Sequence, residues 1–249
     1  MNVRLSERDL KVLAKCAVSK WLTTSQLRRL YFQNVTADAA CKSLRRLTKT
    51  GCLLSFRANR MCEALHAIGP NGKAALAAKG LEVEVSRRPP RQVEHMVGIN
   101  HVRVSLETHP GRVVYFFACW ELGKFGWPHP VIPDAVFELN YPRRCKFALE
   151  FDRATEPFNV FWQKLCSYAA IFSDSTLNAV ALVTETRERL RTILRHLDTR
   201  VSPIPILGTS LPDIQNTDIY SAVFRDACEP DQPARSLCEP HPRAALEKD

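Results

Sequence analysis

The feature that most constrains this chain is a change of hydrophobic period at Gly51. Before it, apolar residues recur at helical spacing in three short stretches: Leu10, Leu13, Ala14 and Ala17; Leu27, Leu30 and Tyr31; Ala40, Leu44 and Leu47. Each stretch carries a start signal. Ser6 stands three residues before Asp9, close to a capping box, Thr23 or Thr24 opens the second stretch, and Thr36 opens the third, which Gly51 ends. Beyond Gly51, residues 52–57 and 62–68 flank Ala58-Asn59-Arg60 and read as a hairpin with a basic tip. Pro70-Asn71-Gly72 then leads into a short helix over 73–79.

Three helices followed by a hairpin is the order of a winged helix-turn-helix, which we expect over residues 1–85. Ser86-Arg87-Arg88-Pro89-Pro90-Arg91 reads as a stiff basic linker, so the domain boundary is expected at 86–92. Residues 93–228 read as α/β: a helix over 93–107, strands over 112–122, 132–139 and 146–152, a helix over 158–172, a buried strand over 177–183, a helix over 185–197, and a last strand over 204–207. Residues 229–249, rich in proline and charge, are expected to be a disordered tail. The expected class is therefore α+β in two domains.

Composition narrows the function. The chain has 249 residues, 45% of them hydrophobic, enough for packed cores. No apolar run reaches the roughly 18 residues of a membrane span, and the N-terminus lacks the apolar region of a secretory signal; a soluble cytoplasmic protein with no membrane partner is expected. Nine cysteines, an odd number with no C-x-x-C pair, are expected to be reduced thiols. Cys16, Cys41, Cys52, Cys119 and Cys166 sit among apolar neighbours. A zinc site from Cys41, Cys52, Cys62 and His66 ranks well below that reading, because its spacings match no common pattern.

Charge divides the chain. Residues 1–92 hold 18 basic and 6 acidic residues, a net +12, whereas residues 93–249 hold 17 and 20, a net −3. Such asymmetry points to nucleic-acid contact by the basic half. Lys42, Ser43, Arg45, Arg46 and Lys49 on the third helix suit major-groove entry, and Arg57 and Arg60 on the hairpin suit a phosphate or minor-groove contact. An ordinary solvated face is the bland alternative. His95 and His101 read as structural or DNA-facing.

In the acidic half, strand alternation sets Phe147, Leu149 and Phe151 on one face and Ala148, Glu150 and Asp152 on the other. If this strand pairs with the one after Asp134, three carboxylates converge, an unfavourable arrangement unless a cation or proton is shared. Oxygen donors of this kind suit Mg²⁺ or Mn²⁺. Lys164 and Tyr168 share a helical face, and the helix starts just past Glu156, so Lys164 is placed to reach the cluster. Acids that hold a metal plus a lysine that steadies an attacking water make a phosphodiester-cleaving set. Taken singly, each carboxylate is more simply structural, Glu156 an N-terminal helix charge, Lys164 a solvated residue and Tyr168 core.

Pro133-Asp134 and Glu150-x-Asp152 resemble the PD-(D/E)xK motif of restriction-endonuclease-like nucleases. The whole string, a basic winged helix, then IPDAVFEL, LEFDRATEP and Lys164-x-x-x-Tyr168, resembles the plasmid replication-relaxation family and the MobC-type mobilisation relaxases over roughly residues 6–200. The nuclease resemblance implies Asp134 and Glu150 as metal ligands and a lysine at position 152. Asp152 stands there instead, which leaves Lys164 to substitute from the helix. No His-hydrophobic-His motif of covalent relaxases and no phosphate-binding glycine loop is present. The expectation is a plasmid or mobile-element protein that binds duplex origin DNA, with other mobilisation or replication proteins as possible partners, and nicks it with Mg²⁺ or Mn²⁺. Asp134, Glu150 and Asp152 are the expected ligands, with Lys164 and Glu156 beside them. The rivals are a catalytically inactive DNA-binding regulator with a nuclease-like scaffold and a protein–protein adaptor.

Overall fold

A computed structural model describes residues 4–109, 111–140, 144–174, 177–198, 204–216, 219, 220, 222 and 224–226. The chain is mixed α+β, with two sheets, and divides into two compact units, Met1–Val104 and Ser105–Asp249. The expected tail lies outside the described residues.

The first unit contains α1 (Glu7–Ser19), β1 (Leu22–Thr23), α2 (Thr24–Tyr31), α3 (Ala37–Lys49), β2 (Leu53–Phe56), β3 (Leu65–Ile68), α4 (Pro70–Ala77) and the first twelve residues of α5 (Val93–Glu107). Helices α1, α2 and α3 start where side chains satisfy orphan N–H groups of a first turn. The Ser6 hydroxyl accepts from the Asp9 N–H at 3.2 Å, and Asp9 Oδ2 accepts in return from the Ser6 N–H at 2.8 Å. Thr23 and Gln26 repeat this exchange at α2, and Thr36 caps α3. The strands form an antiparallel sheet in the order β1-β3-β2. Val12, Leu13, Cys16, Leu27, Leu44, Leu47, Leu53 and Ile68 fill one core, so the apolar stripes of all three helices meet there.

Gly51 ends α3 at φ +69°, a left-handed conformation that glycine adopts without the Cβ penalty. Helix α4 begins at Pro70 rather than at residue 73: proline takes the first helical position, and a Cβ on Gly72 would stand 2.2 Å from the Cys52 carbonyl oxygen, so the turn lies directly on the chain entering β2.

The division at Val104 falls inside α5, later than the 86–92 segment expected from composition. Polar residues of α5 explain it. Asn100 Nδ2 donates to the carbonyls of Ser19 and Trp21, each at 3.0 Å, Arg103 Nη1 donates to Ser19 Oγ at 3.1 Å, and the Val97 carbonyl accepts from Gln26 at 2.9 Å. Asn100 and Arg103 are fully buried.

The second unit has the order β4 (Val113–Ala118), α6 (Cys119–Leu122), a 3₁₀ turn at Gly123–Phe125, β5 (Ala135–Asn140), β6 (Arg144–Asp152), α7 (Phe158–Asp174), β7 (Ala179–Thr184), α8 (Arg187–Asp198), β8 (Ile206–Ser210), α9 (Leu211–Asn216) and β9 (Arg225–Asp226). Its sheet runs β4-β5-β6-β7-β8-β9, antiparallel from β4 to β6, parallel through β6, β7 and β8, and antiparallel at β9. Phe161, Leu165, Tyr168 and Ile171 of α7 pack with Ile193 and Leu197 of α8 on Val136, Ala148 and Val180 of the sheet. Phe116, Phe137 and Phe147 stack across three strands at 6.0 and 5.1 Å.

Two expected strands are shorter. The one over 112–122 stops at Ala118, where the Ala118 N–H donates to Glu121 Oε2 and the Cys119 N–H to the Asp134 carbonyl, turning the chain into α6. The one over 132–139 starts at Ala135, after Pro133, which has no N–H for a ladder.

Candidate functional site

The second unit brings four of the singled-out residues together. The Ala135–Leu149 pair of the β5–β6 ladder sets Asp134 opposite Glu150. The Asp134 N–H donates to the Leu149 carbonyl at 3.0 Å, and Asp134 Oδ2 accepts from the Phe151 N–H at 2.8 Å. From α7, Lys164 Nζ donates to Glu150 Oε2 at 2.5 Å, and the Tyr168 hydroxyl donates to Glu150 Oε1. Strand, turn and helix are consecutive, so one local hand-over aims the base at the acid.

Burial governs the electrostatics. Glu150 is 4% exposed, and burial, then the Asp134 charge, push its carboxyl up to about 8, against the pull of Lys164 and Tyr168. Burial works against the Lys164 charge but is outweighed by attraction to Glu150 and Asp134, so the ammonium is held above its ordinary range. Glu156 is exposed, and its charge also favours the Lys164 ammonium. The Tyr168 phenol, buried against Glu150, is pushed well up and stays a donor.

Asp152 is not part of this group. Its carboxylate takes a fork from Arg189 of α8, Nε to Oδ1 at 2.7 Å and Nη2 to Oδ2 at 3.0 Å, and accepts the Ala154 N–H at 2.8 Å. The expected third metal ligand is thus paired with a guanidinium that already neutralises its charge. Among the described residues no group of three or more His, Cys, Asp or Glu is placed to hold a metal ion. Two carboxylates remain. A hard cation of the Mg²⁺ type uses one or two carboxylates and fills its shell with water and phosphate. Asp134 and Glu150 are of the donor type such an ion takes.

Sequence reasoning missed two neighbours. Arg189 carried no local signal, since it lies 37 residues beyond its partner. Cys119 adjoins the acids: burial, then Asp134, push its thiol up to about 11, with Glu150 and Lys164 also acting on it. Cys166, expected among apolar neighbours, is exposed.

In the first unit, Arg45 and Lys49 of α3 and Arg57 beyond β2 converge on a cavity of about 410 Å³ that Thr24, Thr48, Ser55 and His66 also line. His66 Nε2 lies 3.0 Å from the Thr24 hydroxyl. Arg60 is exposed on the hairpin connection, and Ser43 is half-buried. Lys42 pairs with Asp38 at 2.7 Å on the exposed side of α3. Arg46 also has an internal partner: its Nη2 donates at 2.6 Å to Asp9 Oδ1, the carboxylate that caps α1, so it ties two helices together, with the side chain 43% exposed. Of the weighed zinc set, Cys41 and His66 line the cavity, while Cys52 is buried and Cys62 exposed.

The model of the replication-relaxation family matches residues 13–185, spanning both units and the Asp134, Glu150 and Lys164 group. The chain belongs to the replication-relaxation family. No curated protein and no solved structure matches it. No helix among the described residues is long and apolar enough to cross a membrane.

Proposed function

We propose that this chain is a DNA-processing protein of a plasmid or mobile element: the first unit, as a winged helix-turn-helix, holds duplex origin DNA, and the second, a nuclease-like domain, nicks one strand. The observation that carries the reading is Lys164 Nζ on Glu150 Oε2 at 2.5 Å, with Asp134 on the adjoining strand. A base on a helix, aimed at an acid on a strand beside a second acid, is the minimum set for metal-assisted phosphodiester cleavage. Asp134 and Glu150 would hold Mg²⁺ or Mn²⁺; when bound, such an ion supplies positive charge at the scissile phosphate and a more acidic water. Lys164 orients the Glu150 carboxylate and stands beside the position where charge develops on the phosphate oxygens. Tyr168 fixes the other Glu150 oxygen, so the carboxylate has one rotamer. Asp152 and Arg189 brace the strand end. Arg45, Lys49 and Arg57 supply duplex contacts, and Lys42 and Arg60 flank them. Phosphate neutralisation by such residues makes binding fall steeply with salt.

The test is relaxation of supercoiled plasmid in Mg²⁺ or Mn²⁺ by wild type, Glu150→Ala and Lys164→Ala. Loss of nicking in both variants supports the site; identical behaviour of all three rejects it. A second reading has one observation in its favour: Glu150 is almost sealed, with both oxygens engaged. That suits a DNA-binding regulator that retains a nuclease-like scaffold. Calorimetric titration of Mn²⁺ separates the two, because Glu150-dependent binding disfavours the regulator.

A further inference from the structure

We propose that the β4 edge of the second unit carries a stacking platform for an unpaired nucleic-acid base, so that the strand being processed is held single-stranded beside the carboxylates. The ring planes of Tyr115 and Phe117 are stacked at 4.9 Å and 15°, and those of Phe117 and Phe125 at 3.8 Å and 28°. Phe125 ends the row and is 59% exposed, so the last ring of the row is open to solvent.

The row is pre-organised. Tyr115 hydrogen-bonds Glu138, which pairs with Arg144 at 3.0 Å. The loop carrying Phe125 is pinned at its base by the Cys119 N–H on the Asp134 carbonyl at 2.8 Å, and internally by Trp127 Nε1 on the Val131 carbonyl at 2.8 Å. It is also on the side where the acids are. Phe117 pairs with Val136, which pairs with Ala148, and residues two along from these on the same sheet face are Asp134 and Glu150. Strand spacing puts the Phe117 and Glu150 backbones about 12 Å apart.

The occupant follows from the chemistry. Parallel rings ending in an exposed face match the π-face common to every base, and base–aromatic stacking is tolerant of sequence. Lys124, exposed next to Phe125, supplies a cation for the neighbouring phosphate. A base inside a duplex offers no face, so the platform selects a melted or displaced strand. Its location beside a cleavage centre rests on the proposed function; the binding itself does not.

The experiment is fluorescence anisotropy of a labelled oligothymidylate with the full chain in EDTA, so that no cleavage intervenes, alongside a duplex of equal length. Phe125→Ala is expected to weaken single-strand binding by about tenfold, Phe125→Trp to retain it, and both to leave duplex binding unchanged. Equal single-strand affinity of wild type and Phe125→Ala overturns the platform, as does a Phe125→Leu variant that binds as well as Phe125→Trp, since leucine offers apolar area without a ring. Self-association in sedimentation that Phe125→Ala abolishes also overturns it, assigning the face to a second copy. A chain that shows the Phe125 dependence yet never nicks plasmid DNA loses the proposed function and keeps the platform.

Discussion

Replacing Arg189 tests whether Asp152 is a structural anion or a metal ligand. The pair is bidentate and buried, with side chains 7% and 15% exposed, and spans strand β6 and helix α8. Two unit charges about 4 Å apart attract by about 4 kcal/mol at an effective dielectric constant near 20. Much of that offsets the desolvation of both groups, so the net worth of the intact pair is small. Removing one partner is different, because Asp152 is then a buried carboxylate with no counter-charge, which costs about 3–5 kcal/mol. Arg189→Met is therefore expected to destabilise the second unit by about 3 kcal/mol, at the low end because the guanidinium edge reaches water. With a urea slope of about 2 kcal/mol/M, the midpoint falls by about 1.5 M.

Asp152→Asn combined with Arg189→Met should recover most of the loss, since no unpaired charge remains, and the cycle should show a coupling above about 1 kcal/mol. Nicking by folded Asp152→Asn should stay close to wild type. A Glu150-dependent activity that disappears in folded Asp152→Asn, with an Arg189→Met midpoint within about 0.3 M of wild type, would refute the reasoning and return Asp152 to the metal.

Three further perturbations are worked from single residues. Ala154 holds φ +59° just after Asp152, a conformation that disfavours a Cβ, so Ala154→Gly should stabilise by about 0.5–1 kcal/mol in urea melts. Gly72→Ala should cost about 1–3 kcal/mol and broaden the melting of the first unit, because its Cβ would meet the Cys52 carbonyl at 2.2 Å. His66 is held down to about 4 by burial and then by Arg57, below the 6.5 of an unperturbed imidazole. The unfolded chain therefore binds a proton that the folded one refuses, and stability present above pH 6.5 is lost as pH falls towards 4, by up to about 3 kcal/mol. His66→Gln should flatten that slope in melts at pH 7 and pH 5, and an unchanged slope rejects the assignment.

These residues also show what could be read from the chain and what could not. Ser6 with Asp9, and Thr36, act within one helical turn, so their caps and the Leu13, Leu44 and Leu47 stripes were legible from spacing alone, whereas spacing left Thr23 or Thr24 open and the structure places the cap at Thr23 with Gln26. Lys164 could be aimed at Glu150 because β6 and α7 are consecutive, and Asp134 could be set beside Glu150 because an antiparallel neighbour was a natural guess. Asp152 and Arg46 have partners that spacing did not show, for a shared reason. Each is a charged residue on a motif that expects a function, and each is neutralised by a partner 37 residues away. The Asp152 pair needs the parallel register of β6 on β7 to deliver α8, and the Arg46 pair needs α3 to lie across the start of α1. Neither follows from periodicity, which records which way a residue faces and not what it meets. The boundary inside α5 has the same origin: Asn100 and Arg103, polar residues of that helix, are buried donors to the end of α1, a contact that spacing does not reveal. What a charge in a motif can do therefore depends on the partner the fold gives it. Glu150 is paired as fully as Asp152, but by a lysine and a phenol that hold it beside Asp134 rather than by an arginine fork.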